Sequence, residues 1–435
     1  MSFPRYAEYK DSGVEWLGEI PTEWSLYSLK RTIDCCTNGF WGGEPNGHND
    51  LCVLRVADFN RNNFTIGLDK LTYRLILPKE AESRLLKYGD LLLEKSGGGE
   101  KTLVGCVVQF NQNFAAITSN FVAKMTPKES FVSRFLTYAF AHLYAGSVNF
   151  PSIKQTTGIQ NLDSESYLME SFCFPSKSEQ TQIAAFLDHE TAKLDNLINQ
   201  QKKLIELLKE KRQAVISHAV TKGLNPNAPM KDSGVEWLGK VPEGWRVKRL
   251  KYLGEAIIGL TYSPDDVVDE GEGVLVLRSS NIQNKKLAFD DNVYVCKGIP
   301  EKLRTQKNDI LICSRNGSRA LIGKNTLIHD DAVGLSFGAF MCVYRSKYNE
   351  YLSKVFNSSL FEYQSGTFLT ATINQLTTGN LNGFEVPLPP KEERNAIVAF
   401  LDQETTKIDT LITKAESAIQ LLQERRTALI SAAVT

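Results

Sequence analysis

A long internal repeat constrains the fold of this chain more than any local motif does. The sequence KDSGVEWLGEIPTEW at 10–24 recurs as KDSGVEWLGKVPEGW at 231–245, with 11 of 15 positions identical. A second pair of segments, 179–221 and 393–435, shares 23 of 43 positions. The segments between these anchors share only short framework sequences. The chain is therefore a tandem duplication whose ends were kept while its middle regions diverged.

Composition leaves room for two folded domains and gives no direct indication of function. The chain has 435 residues, of which 42% are hydrophobic. Fifty Lys and Arg residues balance fifty Asp and Glu residues, so any surface that binds nucleic acid must be a local patch. No apolar run is long enough to span a bilayer, and the start lacks a signal-peptide pattern, so we expect a cytoplasmic protein. The eight cysteines form no C-x-x-C pair, and we expect reduced thiols in packed interiors, without disulfides or zinc.

Each repeat is predicted to begin with a mixed α/β domain. Its short apolar runs are rich in β-branched residues, as strands are, and Gly, Asn and Asp separate them. These runs are LCVLRV (51–56), DLLLE (90–94), VGCVVQF (104–110), VLVLR (274–278), DILIC (309–313) and FMCVYR (340–345).

Each repeat is predicted to end with one long helix. Apolar residues recur at seven-residue spacing, without Gly or Pro, over 179–221 and 393–435. The spaced positions are Leu187, Leu194, Gln201, Leu208 and Val215 in the first copy, and Leu401, Ile408, Ala415, Leu422 and Leu429 in the second. Each helix could run for about 40 residues, roughly 60 Å. Gly223, Pro226 and Pro229 then end the first helix.

Two matched apolar helices favour an antiparallel pair within the chain. A single helix of this type would most simply pack on its own domain, but each seam here finds a complementary surface in the other helix. We therefore expect an α+β fold, with two globular α/β domains joined by an antiparallel intramolecular coiled coil and related by an approximate two-fold axis. The expected segments are a first domain at 1–176, a helix at 177–221, a linker at 222–230, a second domain at 231–389 and a helix at 390–435.

The apolar stripe on each helix is too wide for a two-helix seam. The surplus predicts partner helices, although contact with the chain's own domains is the alternative, above all near the two phenylalanines. The predicted partner-binding residues are Phe186, Ile198, Ile205, Leu207, Phe400, Ile412, Ile419 and Leu421.

The chain resembles a known family over nearly its whole length. A variable domain, a shared helix, a second variable domain and a second shared helix follow one another, with a DSGVEWLG…P…W opening and an FLD.ET.K.D..I helix start in each half. This pattern is similar to the specificity subunits of type I restriction-modification enzymes. The resemblance implies two target-recognition domains, each reading one half of an asymmetric, split site in double-stranded DNA. It also implies two methyltransferase subunits docked on the helices, with restriction subunits joining that core, and no cofactor or catalytic site in this chain.

Candidate DNA contacts lie where Gly, Ser and basic residues interrupt strands. A loop of small residues lets the backbone approach phosphate and leaves Arg, Lys or Asn for base edges. The best candidates follow GDLLL and NDILI, and solvated turns are the alternative for each. They are Lys95, Ser96, Gly97, Gly98 and Lys101 in the first repeat, and Ser314, Arg315, Asn316 and Arg319 in the second, with Arg55, Lys154, Arg278 and Asn374 as weaker candidates. Four tryptophans of the shared openings, Trp16, Trp24, Trp237 and Trp245, are predicted to anchor the cores.

The enzyme motifs that the sequence partly matches are incomplete. The P-loop look-alike GGGEKT at 97–102 has Glu100 where the motif requires Gly. No N/D-P-P-Y sequence of an amino-methyltransferase is present, and the acids of 263–273 and the five histidines lack catalytic spacing. A divergent enzyme and a purely structural coiled-coil scaffold stay open as alternatives, but a scaffold would not explain why the globular domains diverged.

Overall fold

The computed structural model describes residues 6–97, 102–156, 158–368 and 375–435. The chain forms two compact units. Unit 1 comprises Met1–Lys202 and Ser417–Thr435, and unit 2 comprises Lys203–Glu416. Each unit thus contains one globular part and a portion of both long helices. No described helix is long and apolar enough to cross a membrane.

The described residues of unit 1 form short strands and three α-helices ahead of the first long helix. Its strands are β1 Tyr9–Asp11, β2 Glu19–Pro21, β3 Ser25–Ser28, β4 Ile33–Asn38, β5 Asp50–Leu54, β6 Phe59–Asn60, β7 Thr65–Ile66, β8 Thr72–Leu75, β9 Leu91–Glu94, β10 Ser96–Gly97, β11 Val107–Gln109, β12 Ala116–Thr118, β13 Val122–Pro127, β14 Ile153–Thr156, β15 Ile159–Leu162 and β16 Ser171–Phe174. Its helices are α1 Pro78–Ala81, α2 Ser133–Ala145, α3 Ser164–Tyr167 and the start of α4 Lys177–Lys222.

Unit 2 repeats this plan with different helices. Its strands are β17 Met230–Asp232, β18 Lys240–Pro242, β19 Arg246–Arg249, β20 Glu255–Ile258, β21 Val267–Val268, β22 Val274–Leu277, β23 Ile282–Gln283, β24 Lys286–Leu287, β25 Tyr294–Val295, β26 Ile310–Cys313, β27 Asn325–Leu327, β28 Ser336–Phe337, β29 Met341–Arg345 and β30 Glu385–Leu388. Its helices are α5 Asn349–Phe356, α6 Ser359–Phe368, α7 Thr378–Gly383 and the first part of α8 Lys391–Val434, up to Glu416.

A four-stranded antiparallel sheet is central to each unit. Its order is β11-β9-β13-β4 in unit 1 and β20-β29-β26-β27 in unit 2. Side chains alternate across the middle strand: Leu91 and Leu93 of β9 join the core that contains α2, while Leu92 faces the core around β5. Ile310 and Leu311 of β26 divide in the same way. Because both faces are buried, these strands are uninterrupted apolar runs.

The two long helices run antiparallel and bury the predicted seam. In unit 1, Asp195 of α4 pairs with Arg426 of α8 at 3.1 Å, and Leu187 lies in the same core as Val434. In unit 2, Arg212 pairs with Asp409 at 3.1 Å. A later residue of α4 thus pairs with an earlier residue of α8, so the two helices are antiparallel. This arrangement confirms the predicted fold class. Most seam positions are buried, among them Leu187, Leu194, Leu208, Leu401, Ile408 and Ala415.

The tryptophan prediction is confirmed for one residue of each opening and wrong for the other. Trp24 and Trp245 are buried and donate their indole N–H to Glu179 and Glu393, the first residues of the shared helical sequence. Trp16 and Trp237 are exposed at 37% and 36%. Their rings lie on the rim of each core, where Trp16 stacks on Phe172 with centroids 6.2 Å apart.

The cysteine prediction also needs a correction. Five of the eight thiols are buried, but Cys35, Cys36 and Cys296 are exposed. The first two follow each other on β4, which is paired along one side only, with β13. The successive residues from Asp34 to Cys36 are all exposed, so neither face of β4 is buried at this point.

Candidate nucleic-acid interface

In unit 1, the candidate loop after β9 is held by backbone hydrogen bonds on two sides. The amides of Lys95 and Ser96 both donate to the carbonyl of Phe121, at 2.8 and 3.2 Å. On the other side, the amide of Leu162 donates to the carbonyl of Lys95 at 2.7 Å, and β10 pairs with β15. Lys95–Gly97, the described start of this loop, is therefore held between two neighbouring backbone segments.

The side chains of this loop are anchored to residues distant in the sequence. Lys95 Nζ donates to Asn38 Oδ1 at 2.6 Å, and Ser96 Oγ donates to Asn161 Oδ1 at 2.6 Å. Gly97 has a φ of +136°, which favours glycine, and a Cβ there would lie 3.6 Å from Glu94 Oε1. Gly98 and Lys101 lie outside the described residues.

In unit 2, the loop after β26 has the same backbone frame and different side chains. The amides of Ser314 and Arg315 both donate to the carbonyl of Phe340 at 3.0 Å, and the amide of Leu376 donates to the carbonyl of Ser314 at 2.7 Å. The Arg315 side chain is exposed, with its guanidinium 5.3 Å from the centroid of the Phe340 ring. This frame presents a cation against an aromatic ring.

Two further candidates extend the surface in unit 2. Asn316 Nδ2 donates to Ser279 Oγ at 3.2 Å, which ties the loop to the segment after β22. Arg319 is exposed and donates to the Gly366 carbonyl at 3.4 Å. Asn374 lies outside the described residues.

The weaker candidates are engaged in internal ion pairs. Arg55 binds Asp58 through two nitrogens, at 3.2 and 2.8 Å, and this hydrogen bonding raises the pKa of Arg55. Arg278 binds Asp291 at 2.7 Å. These two arginines occupy the same turn in the two repeats, where the backbone amide of each donates to a side chain three residues later.

Lys154 is exposed on the β14–β15 hairpin and pairs with Asp163 at 3.1 Å. A backbone N–H from Ser166 and then the Lys154 side chain lower the pKa of Asp163. Because the pair is exposed, its ammonium group can exchange this carboxylate for another anion at little cost.

An ion pair below the unit 1 loop was missed from the sequence. Glu94 is fully buried and binds Arg61 at 2.7 Å, and Arg61 also donates to the Tyr144 hydroxyl at 3.1 Å. Burial raises the pKa of Glu94, although Arg61 opposes that shift. A carboxylate at the end of the apolar run DLLLE was the available signal.

Two exposed phenylalanines were also missed. Phe121 and Phe340 are exposed at 50% and 60%, and their carbonyls accept the hydrogen bonds that fix the two loops. Each precedes the first residue of an equivalent strand, β13 or β29. Alignment of the two repeats over this turn would have identified them as the large apolar residue common to both.

The predicted partner-binding residues divide by burial. Ile198 and Ile205 are buried within the chain at 7% and 8% exposure, while Phe186, Ile412 and Ile419 are half-buried. Leu207, Leu421 and Phe400 are exposed at 52%, 65% and 37%. Leu197 and Leu411, which are equivalent in the repeat, are also exposed and were not predicted.

The globular parts contact a different flank of the helices from the exposed leucines. In unit 1, Arg134 and Tyr138 of α2 bind Asp188 of α4 at 2.6 and 2.7 Å. In unit 2, Lys354 of α5 binds Asp402, the repeat equivalent of Asp188. Among the described residues, no group of His, Cys, Asp or Glu is arranged to hold a metal ion.

Comparisons with known proteins define the class of this chain. Residues 242–421 match the family described as the type I restriction modification DNA specificity domain. The chain is 29% identical over 203 residues to the EcoKI specificity subunit of Escherichia coli K12, which covers 45% of this chain and 44% of that protein. It therefore spans less than half of the length of that relative. A putative type I restriction enzyme MjaX specificity subunit of Methanocaldococcus jannaschii is 24% identical over 402 residues, covering 88% and 87% of the two chains.

Solved structures share the fold. A chain from a study of complex assembly and conformational transition in the type I restriction-modification system matches with a TM-score of 0.73 and 15% identity, covering 95% of this chain and 98% of that one. The HsdS subunit of Thermoanaerobacter tengcongensis matches with a TM-score of 0.52 and 15% identity, covering 95% and 97%. The family match over much of the second half and the named relatives together support a specificity subunit of a type I restriction-modification system.

Proposed function

We propose that this chain is a sequence-specific DNA-binding subunit that reads a bipartite, asymmetric target, with one half-site for each globular domain. The domains are 1–176 and 231–389, joined by the linker 222–230 and by the spacer helices 177–221 and 390–435. The observation that carries this proposal is the pair of loops held by identical backbone hydrogen bonds but bearing different side chains. Two unlike readers recognise unlike half-sites, whereas identical readers would require a palindrome.

The loop residues divide into two roles in this proposal. Lys95 and Arg315 present cations to phosphate or guanine, and Ser96, Ser314 and Asn316 offer short polar groups to base edges. Gly97 allows close approach of the backbone, and Arg319 and Lys154 add positive charge at the margin. Arg55 and Arg278 support the frame through their ion pairs.

The chain has no catalytic role in this proposal. Methyl transfer and DNA cleavage belong to partner subunits, which the specificity subunit brings to the target. Two methyltransferase subunits dock on the helices, and the restriction subunits join through that core. An enzyme acting alone would need a built cluster of perturbed acids or bases, and the buried Glu94 is instead neutralised by Arg61.

The exposed flank of the helices is the proposed docking surface for the methyltransferase subunits. In unit 2, Leu207 and Leu411 project next to the seam, and Leu197 and Leu421 are their repeat equivalents in unit 1. Positions that immediately flank the seam lie on the same side of both helices in an antiparallel pair. The globular domains bind the other flank through Asp188 and Asp402, so the leucine flank is open to a partner.

DNA binding is tested with the chain co-expressed with a methyltransferase subunit. Methylome sequencing identifies the target, and gel shifts compare a target duplex with a scrambled duplex. Arg315→Ala and Lys95→Ala should weaken binding to the target by about tenfold and reduce the slope of log K against log salt by about one. Lys307→Ala and Lys87→Ala, which remove charges at the opposite ends of β26 and β9, are the controls and should have little effect. Equal binding of wild-type complex to target and scrambled DNA would refute the proposal.

Partner docking is tested by co-purification. The double variant Leu207→Ser and Leu421→Ser should lose most of its association with the methyltransferase subunit, because exposed apolar anchors dominate such interfaces. Leu77→Ser changes a leucine of similar exposure, 53%, on the globular part of unit 1 and should assemble normally. Normal assembly of the double variant would place the docking surface elsewhere.

A further inference from the structure

We propose that Phe121 and Phe340 contact bases, each in the half-site read by its own domain. The inference rests on the proposed function and extends it, since it assigns an apolar contact to two residues outside the polar loops. Both rings lie at the exposed tip of a turn, and both turns belong to the frame that fixes a candidate DNA loop.

The turns that carry the two rings are built alike. In unit 1, the amide of Val122 closes the turn on the carbonyl of Ser119 at 3.0 Å, and the amide of Ser119 binds Leu54 at 2.8 Å. In unit 2, the amide of Met341 closes the turn on Gly338 at 2.8 Å, and the amide of Gly338 binds Leu277 at 3.0 Å. The turn therefore holds its third residue in the same place in both units.

Backbone packing around each turn is too tight to be incidental. A Cβ added at Gly39 would lie 2.1 Å from the carbonyl oxygen of Ser119, and a Cβ added at Gly259 would lie 2.2 Å from that of Gly338. Glycine is thus required at both positions for the neighbouring strand to approach the turn. The frame therefore fixes the backbone from which each ring projects.

The chemistry of a phenyl ring points to bases rather than to phosphates. A phenyl group offers no hydrogen bond to a phosphate oxygen, whereas apolar side chains contact thymine methyl groups and enter base steps. The carbonyl of each Phe accepts the amides of the loop, so the backbone that carries the exposed ring lies next to the loop. In unit 2, the Arg315 guanidinium at 5.3 Å from the ring can bind phosphate or guanine beside that apolar contact.

The test measures binding of the assembled complex, chain plus methyltransferase subunit, to the methylome-defined target duplex and to a scrambled duplex across a salt series. Phe340→Ala should weaken target binding by about tenfold or more. Binding to the scrambled duplex should not change, and the slope of log K against log salt should match wild type, because no phosphate contact is lost. Phe121→Ala should behave in the same way.

Duplexes with one half-site scrambled assign each ring to its half. The loss caused by Phe340→Ala should disappear when one particular half-site is already scrambled and persist when the other is, and Phe121→Ala should show the reverse. Phe340→Leu should keep part of the affinity, which separates loss of the ring from misfolding. Tyr252→Ala and Tyr88→Ala, at exposed aromatic residues near the opposite ends of the same sheets, are the controls.

Three results would overturn the inference. The first is unchanged target binding by both alanine variants, and the second is an equal loss on target and scrambled DNA. The third is weakened co-purification with the methyltransferase subunit at normal DNA affinity per assembled complex, which would make the rings a protein contact. If wild-type complex does not distinguish target from scrambled DNA, the proposed function fails together with this inference.

Discussion

The candidate DNA loops of units 1 and 2 share their backbone hydrogen bonds and differ in almost every side chain. In both, two consecutive amides bind the carbonyl of a phenylalanine, and a leucine amide closes the other side. The Lys95 side chain in unit 1 donates a hydrogen bond to Asn38, whereas the Arg315 guanidinium in unit 2 lies over the Phe340 ring. A frame made of backbone hydrogen bonds is independent of side-chain identity, so side chains can vary without loss of the fold.

The residue below each loop differs as well. Glu94, the last residue of β9, is buried in an ion pair with Arg61, while its counterpart Cys313 at the end of β26 is a buried thiol whose pKa burial raises. Unit 1 therefore has a buried ion pair below its loop, whereas in unit 2 the Cys313 thiol donates to the Arg315 carbonyl at 3.7 Å. The two domains therefore hold equivalent loops above different buried residues.

The largest effect is expected from exchanging one domain. Replacing residues 25–176 by the corresponding segment of a relative should change one half of the methylated target and leave the other half unchanged. Affinity for the original sequence should fall by about a thousandfold or more, the usual gap between specific and nonspecific binding. Methylome sequencing measures the outcome. A change in both halves, or in neither, would contradict independent readers.

A smaller effect is expected where the frames use one residue position differently. Asp309 is buried and binds Arg345 at 2.9 and 2.7 Å, whereas the equivalent Asp90 accepts a hydrogen bond from Thr126 at 2.8 Å. Asp309→Asn leaves a partly buried guanidinium unpaired and should destabilise unit 2 by about 3 kcal/mol. Asp90→Asn should cost unit 1 only about 1 kcal/mol.

Hydrogen exchange in β26 and β9 measures these two losses separately, since each strand reports on its own unit. The double variant Asp309→Asn with Arg345→Gln is the control, because it removes the unpaired charge and should recover much of the stability. Equal destabilisation by Asp309→Asn and Asp90→Asn would mean that the Arg345 pair adds nothing to the frame.

Sequence patterns predicted the elements of this fold because those patterns are local. The apolar runs became β5, β9, β11, β22, β26 and β29, and the seven-residue spacing became α4 and α8. Two-residue alternation was absent from these strands, as expected for strands buried on both faces. The duplication then predicted that the second half would repeat the first.

Side-chain partners could not be predicted, because they join segments far apart in the chain. Asn38 lies 57 residues before Lys95, and Arg61 lies 33 residues before Glu94. Burial of Ile198 and Ile205, against exposure of Leu207, depends on how the two helices rotate about the seam, which spacing alone leaves open. The exposure of Trp16 follows from its place at a rim and not from its residue type.

The smallest effect concerns one aromatic contact that is present in both units with different chemistry. In unit 1, the His142 ring lies 6.2 Å from Trp16 and 6.1 Å from Phe172, measured between centroids, while in unit 2 the equivalent Trp237 lies 5.6 Å from Tyr363. Burial lowers the pKa of His142. The unfolded chain, with a His pKa of about 6.5, then binds more protons than the folded chain once the pH falls toward that value.

Acidification should therefore destabilise unit 1 through His142, with the contribution complete above the unfolded pKa and lost as the pH falls through it toward the lower folded pKa. Unit 2 has a tyrosine and not a histidine at this contact. His142→Tyr, which copies Tyr363, and His142→Gln should both reduce the fall in the melting temperature of unit 1 between neutral and mildly acidic pH, by a few degrees at most. Hydrogen exchange in β16, which contains Phe172, reports the change in unit 1, and β30 serves as the reference strand in unit 2. Because acid also affects carboxylates throughout the chain, the decisive quantity is the difference between wild type and variant. An unchanged or steeper fall in both variants would mean that His142 carries none of the pH dependence, and that histidine and tyrosine are interchangeable beneath the shared tryptophan.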